Sequence, residues 1–179
     1  MEKKLILNPL QIDITLSRLC HELIENHQDF TDTILLGLQP RGIFLLDKLI
    51  EKLQNILQKN TTFGYLDTTF HRDDFRRRDT PLLPNSTKIN TSLENKKVVL
   101  IDDVLYTGRS VRAALDAMLS FGRPLKVEML TLVNRLYARD LPIQPNYVGV
   151  EVNTLQHQKV IVEWKNDNIN ENQVWLIWD

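Results

Sequence analysis

A chain of 179 residues with 42% hydrophobic and 25% charged side chains has the composition of a soluble globular protein and the length for one domain with a proper core. Its 22 basic and 23 acidic residues leave a net charge of −1, which excludes a uniformly basic nucleic-acid binder and leaves room only for a local basic face. A lone cysteine, Cys20, excludes an internal disulfide or a cysteine metal cluster and fits a reducing cytoplasm, and the sequence shows neither the apolar stretch of a signal peptide nor a run long enough to cross a bilayer.

Leu5-Ile6-Leu7 reads as a short strand or entry segment. Asn8-Pro9-Leu10-Gln11 then starts a helix, with Asn8 as N-cap, Pro9 at the first helical position and Gln11 completing a capping box. Leu16, Leu19, Cys20, Leu23 and Ile24 recur at helical spacing and form its buried face, while Ser17, Arg18 and His21 fall together on another face. Composition alone reads that polar face as a solvated surface. Thr33-Ile34-Leu35-Leu36-Gly37 is the next buried strand, followed by the loop Leu38-Gln39-Pro40-Arg41-Gly42 and a helix with Leu46, Leu49, Ile50 and Leu53 inward. An arginine at the end of a strand and the start of a helix suits a doubly charged anion, because its planar fork can bind two oxygens at once.

Phe63-Gly64-Tyr65-Leu66-Asp67-Thr68-Thr69-Phe70 reads as a strand. Residues 71–97 then form a long polar segment with Arg72, the run Arg76-Arg77-Arg78, Pro81 and Pro84. A segment of this length without apolar periodicity inside a small domain is usually functional, and a lid is expected at 71–97. The arginine run reads equally as a solvated basic turn or as a phosphate or RNA contact.

The richest stretch follows. Val98-Val99-Leu100-Ile101 is a buried strand, with Asp102 and Asp103 where it ends, then Tyr106-Thr107-Gly108-Arg109-Ser110, then a helix whose apolar face is expected at Val111, Ala114, Leu115, Met118 and Leu119. Backbone N–H groups at a helix start are unpaired and carry the positive end of the helix dipole. Gly108 lets the backbone come close and permits a positive φ, Thr107 and Ser110 add hydroxyls, and Arg109 adds a cation, which together make a cradle for a phosphate monoester. The two carboxylates suit sugar hydroxyls or a hydrated Mg²⁺. Gly122 and Pro124 end the helix, and Val127 through Val133 forms another strand. Three short strands close the chain, Tyr147 to Val152, Lys159 to Trp164 and Val174 to Trp178, with Trp164, Trp175 and Trp178 assigned to packing. The alternation of strand and helix, without repeat or linker, predicts one α/β domain over 1–179 with a mainly parallel central sheet and helices on both faces.

The two acids followed by Thr107-Gly108 resemble the phosphoribosyl pyrophosphate motif of the type I phosphoribosyltransferases. The fuller run, Asp102-Asp103-Val104-Leu105-Tyr106-Thr107-Gly108-Arg109, is similar to the bifunctional pyrimidine-operon attenuators that also act as uracil phosphoribosyltransferases. That resemblance implies a small hood over the sheet and the reaction of uracil with phosphoribosyl pyrophosphate to give UMP and pyrophosphate. It implies Asp102, Asp103 and Arg41 as catalytic residues, and Tyr106, Thr107, Gly108, Arg109, Ser110, Gln39, Pro40, Gly42, Arg72 and Asn134 as substrate-binding ones. It implies Mg²⁺ held mainly by the substrate near the two acids, with no direct protein ligand. It implies an RNA surface carrying Ser17, Arg18, His21 and Arg139, a pyrimidine-operon leader RNA as partner, UMP or UTP as the sensed nucleotide, a cytoplasmic location, no membrane contact, and a homodimer or larger assembly. The chain departs from the family pattern at 134–142: Asn134 stands for an aspartate, Leu136 for a glycine, and one extra residue precedes Arg139-Asp140-Leu141-Pro142. This region shapes the base pocket and part of the RNA face, so another base such as hypoxanthine, or a regulator with little catalysis, stays open as an alternative.

Overall fold

The computed structural model describes residues 2–71, 86–155, 157–165 and 169–178. Its elements in chain order are β1 (Glu2–Leu7), α1 (Pro9–His27), β2 (Thr33–Leu38), α2 (Gly42–Leu57), β3 (Thr62–Leu66), β4 (Lys97–Leu105), α3 (Arg109–Met118), β5 (Lys126–Leu136), β6 (Tyr147–Asn153), β7 (Lys159–Glu163) and β8 (Gln173–Trp178). Among the described residues, five strands form a sheet in the order β3-β2-β4-β5-β6, with every pairing parallel. A second, antiparallel sheet in the order β1-β8-β7 is the hood, joining the two ends of the chain.

The parallel sheet is covered on both sides, so its middle strands read as continuous apolar runs, and all six residues of β2 are buried. One core lies between the sheet, α1, α2 and the hood, and contains Leu16, Leu19, Leu46, Leu49, Ile101, Leu132, Val162 and Trp164. The other lies under α3 and contains Leu36, Leu100, Val111, Ala114, Met118 and Leu93. The expected capping box is present: Asn8 Oδ1 accepts from the Gln11 backbone N–H at 2.8 Å, and Gln11 Oε1 accepts from the Asn8 N–H at 2.9 Å. The C-terminal end of α1 is fixed by buried His27, which contacts Thr33 Oγ1 at 3.0 Å, Tyr147 Oη at 3.1 Å and Glu128 at 3.1 Å, tying the starts of β2, β5 and β6 together.

Some expectations need correction. The third strand ends at Leu66 rather than Phe70, because Asp67 Oδ1 accepts from the Thr69 N–H at 3.2 Å and the Thr69 hydroxyl at 2.7 Å, and this side-chain turn starts a short 3-10 helix at Thr69–His71. The face of α3 is turned from the one expected. Val111, Ala113, Ala114, Ala117 and Met118 are buried, while Leu115 and Leu119 are 37% and 64% exposed. The alanines permit a close approach to the sheet, and Leu119 already begins a 3-10 turn that leaves the helix axis. Strand β4 runs through both acids to Leu105, and β5 runs through Asn134 to Leu136. Of the segment expected as a lid, residues 72–85, with Arg72 and Arg76 to Arg78, lie outside the described residues. Its later part is tied to the body: Lys88 exchanges backbone hydrogen bonds with Tyr65 at 2.8 and 3.0 Å, and Leu93 is fully buried.

Candidate active site

The site sits at the carboxyl ends of β2, β4 and β5, where an open parallel sheet leaves a crevice. Two helices begin there. At α3, Gly108 holds φ +91°, a left-handed conformation that a side chain would strain, and no side chain caps the helix. The Arg109 N–H makes a long bond of 3.4 Å to Thr107 Oγ1. Asp102, Val104, Leu105, Tyr106, Thr107, Gly108, Arg109, Ser110 and Val111 line a cavity of about 220 Å³ at this helix start. Every residue expected to hold the 5′-phosphate is therefore in one cradle, with Asp102 on its wall. The loop's shape is kept from outside: the Thr107 carbonyl accepts from the N–H groups of Asp140 at 3.0 Å and Leu141 at 3.3 Å, Arg109 pairs with Asp140 at 3.0 Å, and the Arg135 guanidinium stacks 3.8 Å from the centre of the Tyr106 ring.

At α2 the N-cap is Arg41, in helical conformation and without a capping side chain, so this second helix start is also open toward the crevice. Gly42 packs so closely on β4 that an added Cβ would lie 2.3 Å from the Ile101 carbonyl oxygen. That contact sets the loop 39–42 against the two acids. Gln39 donates from Nε2 to the Ser86 carbonyl at 2.8 Å, and Pro40 is exposed at the loop's tip. Arg41 Nε donates to Asp103 Oδ2 at 2.8 Å, and its Nη2 donates to the Val162 carbonyl in the hood. Asp103 is 4% exposed, and its burial raises its pKa against the opposing effect of Arg41. Neighbouring strand residues point to opposite faces, so the two acids separate: Asp102 faces the phosphate cradle and Asp103 the arginine loop.

The 134–142 region is brought beside the cradle, with Tyr137 90% exposed but the polar groups of Asn134 and Arg139 turned inward. The Asn134 amide donates to Glu151 Oε1 at 3.3 Å and its oxygen accepts from Arg139. The resemblance assigns Arg139 to an RNA surface; in the structure its guanidinium donates to the carbonyls of Leu105, Tyr106, Arg135 and Ile143, which makes it the tie between this region and the end of β4. A larger cavity of about 320 Å³, lined by Asn134, Arg139, Gln144, Val148 and Glu151 among others, lies against β6, beside the cradle and not within it. Ser17 is half-buried, its hydroxyl donating to the Asp13 carbonyl and accepting from Lys52, while Arg18 and His21 are exposed on α1.

The model of the phosphoribosyl transferase domain matches residues 6–169. The chain belongs to the phosphoribosyltransferase family. Among curated members it is 36% identical over 181 residues to the bifunctional protein PyrR of Bacillus subtilis, covering 99% of this chain and 98% of that one. It is 42% identical to the bifunctional protein PyrR of Synechocystis over 88% of this chain and 87% of the relative. Solved phosphoribosyltransferases share the fold: a hypoxanthine phosphoribosyltransferase of Trypanosoma cruzi superposes with a TM-score of 0.72 at 10% identity, covering 98% and 96% of the two chains. One from Staphylococcus aureus superposes with a TM-score of 0.65 at 19% identity, covering 84% and 78%. Within this phosphoribosyltransferase, sequence reading missed the partners that shape the site: Asp140 for Arg109, Arg135 for Tyr106, and Trp164 beside Asp103. Each comes from a distant segment, and only the position of Asp140 next to Arg139 carried a local signal.

Proposed function

We propose that this protein transfers the phosphoribosyl group of phosphoribosyl pyrophosphate to uracil, giving UMP and pyrophosphate. The observation that carries the reading is the placement of both acids between two open helix starts, one a glycine cradle and one led by Arg41. The cradle takes the 5′-phosphate and contributes binding energy remote from the reacting bond. Asp102 faces the ribose hydroxyls. Asp103 places negative charge where the ribose carbon becomes cation-like as its bond to pyrophosphate breaks and its bond to uracil forms. Arg41 receives the leaving pyrophosphate. A Mg²⁺ ion held mainly by the substrate near Asp102 and Asp103 would offset charge on that leaving group. Bifunctional PyrR proteins share a third or more of their residues with this chain, whereas the hypoxanthine enzymes above share 10% and 19%, so uracil stands ahead of hypoxanthine. Pyrophosphate release should be greatest with uracil across a panel of bases and should require Mg²⁺; release with hypoxanthine alone would overturn the assignment.

The second function is RNA-binding attenuation of pyrimidine genes in response to UMP or UTP, with assembly into dimers or larger oligomers as part of the same reading. One observation favours it. Arg18 Nη2 donates to the carbonyls of Val148 at 3.0 Å and Gly149 at 2.6 Å, and Val148 lines the 320 Å³ cavity that Arg139 also lines. The exposed face of α1 and the 134–145 region thus meet in one surface. A nearly neutral chain binds RNA only through such a focused patch, so affinity should fall with salt. Arg18→Ala with His21→Ala should weaken binding to a pyrimidine leader RNA, reduce the salt slope by about one, and leave uracil turnover unchanged. Equal binding by the double variant, or no binding by the parent at low salt, would refute the second function.

A further inference from the structure

Trp164 follows directly after β7 and is 3% exposed, yet its indole nitrogen has no hydrogen-bond partner of good geometry. A buried N–H without a partner costs free energy, and native structures rarely keep one without use. This one lies within hydrogen-bonding reach of the Asp103 carboxylate, whose charged form it favours, but at poor geometry, and the Lys48 ammonium lies 5.7 Å from the centre of its ring. Asp103 meanwhile takes its hydrogen bond from Arg41, whose side chain is 49% exposed and also bound to the Val162 carbonyl two residues before Trp164. Two side-chain donors therefore approach one buried carboxylate beside the Val104 backbone N–H, Arg41 in good geometry at 2.8 Å and Trp164 in poor geometry. The reaction must change that balance. A leaving pyrophosphate carries far more charge than one carboxylate and draws the guanidinium toward itself, leaving buried Asp103 without its charged donor.

We propose that Trp164 is a positioning residue for Asp103, its indole N–H closing onto the carboxylate when Arg41 turns to the leaving pyrophosphate. The inference rests on the assignment of Arg41 to pyrophosphate. It gives the hood a task in the reaction cycle: holding the catalytic acid in place while the arginine loop opens and closes. No bond is made or broken, and one charge-assisted hydrogen bond replaces another.

The indole N–H resonance of Trp164, identified by its loss in Trp164→Phe, is the direct readout. In the full-length protein it should move downfield on addition of pyrophosphate with Mg²⁺. It should already lie downfield in Arg41→Met without any ligand, since the competing donor is gone. A resonance unmoved in Arg41→Met would overturn the proposal. A resonance that moves in Arg41→Met but not with pyrophosphate would keep the Trp164–Asp103 contact and overturn the pyrophosphate role of Arg41 instead. In kinetics, Trp164→Phe keeps an aromatic ring in the core and should lower kcat about tenfold, with KM for phosphoribosyl pyrophosphate changed less than about twofold, as expected for losing one hydrogen bond to a charged group in the transition state. Loss of thermal stability with unchanged kcat would assign Trp164 to packing only.

Discussion

Asp103→Asn is expected to lower kcat for UMP formation by about a hundredfold or more, the usual cost of removing a pre-placed electrostatic stabiliser. The substitution keeps the shape of the side chain and removes its charge. The fold should tolerate it. Asp103 is buried, and burial opposes its charged form, so an amide is no worse a guest there. The Arg41 side chain is 49% exposed and can turn its charge to water, so breaking the pair leaves no stranded ion. Freed from Asp103, Arg41 should meet pyrophosphate more readily, and KM for phosphoribosyl pyrophosphate should stay level or fall while kcat collapses. That combination marks a group acting in the transition state rather than in substrate binding. Steady-state kinetics with a thermal melt checks it, and unchanged kcat would remove Asp103 from the mechanism.

Gly42→Ala should damage both stability and substrate use. The new Cβ would lie 2.3 Å from the Ile101 carbonyl oxygen and 3.1 Å from the Asp102 Cα, and both obstacles are backbone of the central strand. Neither can swing away, so the start of α2 must move. Overpacking of this kind costs about 1–3 kcal/mol, or about 2–12 °C in melting temperature for a chain of this size. The same movement carries Arg41 off its 2.8 Å contact with Asp103 and displaces the loop that faces pyrophosphate. A misplacement of about 1 Å near reacting groups costs about a hundredfold, so kcat/KM for phosphoribosyl pyrophosphate should fall by that order. Native melting and native kcat/KM would show that the close approach of loop and strand has no bearing on the site.

What the sequence by itself determined is the part of this protein that local chemistry decides. The capping box from Asn8 to Gln11 spans four residues and needs no tertiary partner, and it forms as expected. The groups of the cradle at residues 106–110 are likewise contiguous: a glycine, two hydroxyls and a helix start follow one strand of the parallel sheet, although distant residues hold the loop's shape. Apolar runs marked β2 and β4 because a sheet covered on both faces leaves no polar alternation to confuse them.

What the tertiary structure alone decided is whatever depends on which distant group arrives. The face of α3 is one case. Periodicity shows that an apolar stripe exists, but seven apolar side chains compete for burial along residues 111–119, and the alanines are buried where Leu115 and Leu119 are not. The separation of Asp102 from Asp103 is another: adjacent in sequence, they meet opposite faces, and only the docking of α2 and the hood gives Asp103 its arginine and its tryptophan. The hood itself pairs Glu2 with Trp178, a contact across nearly the whole chain that no local pattern encodes. Asn134 and Arg139 read as candidates for base or RNA, yet their polar groups are bound by Glu151, by each other and by a ring of carbonyls, because buried polar groups must be satisfied by whatever the fold brings beside them. Residue type and spacing say what chemistry a segment can perform; the long-range packing of β4, α2 and β7 decides which partner each charge meets.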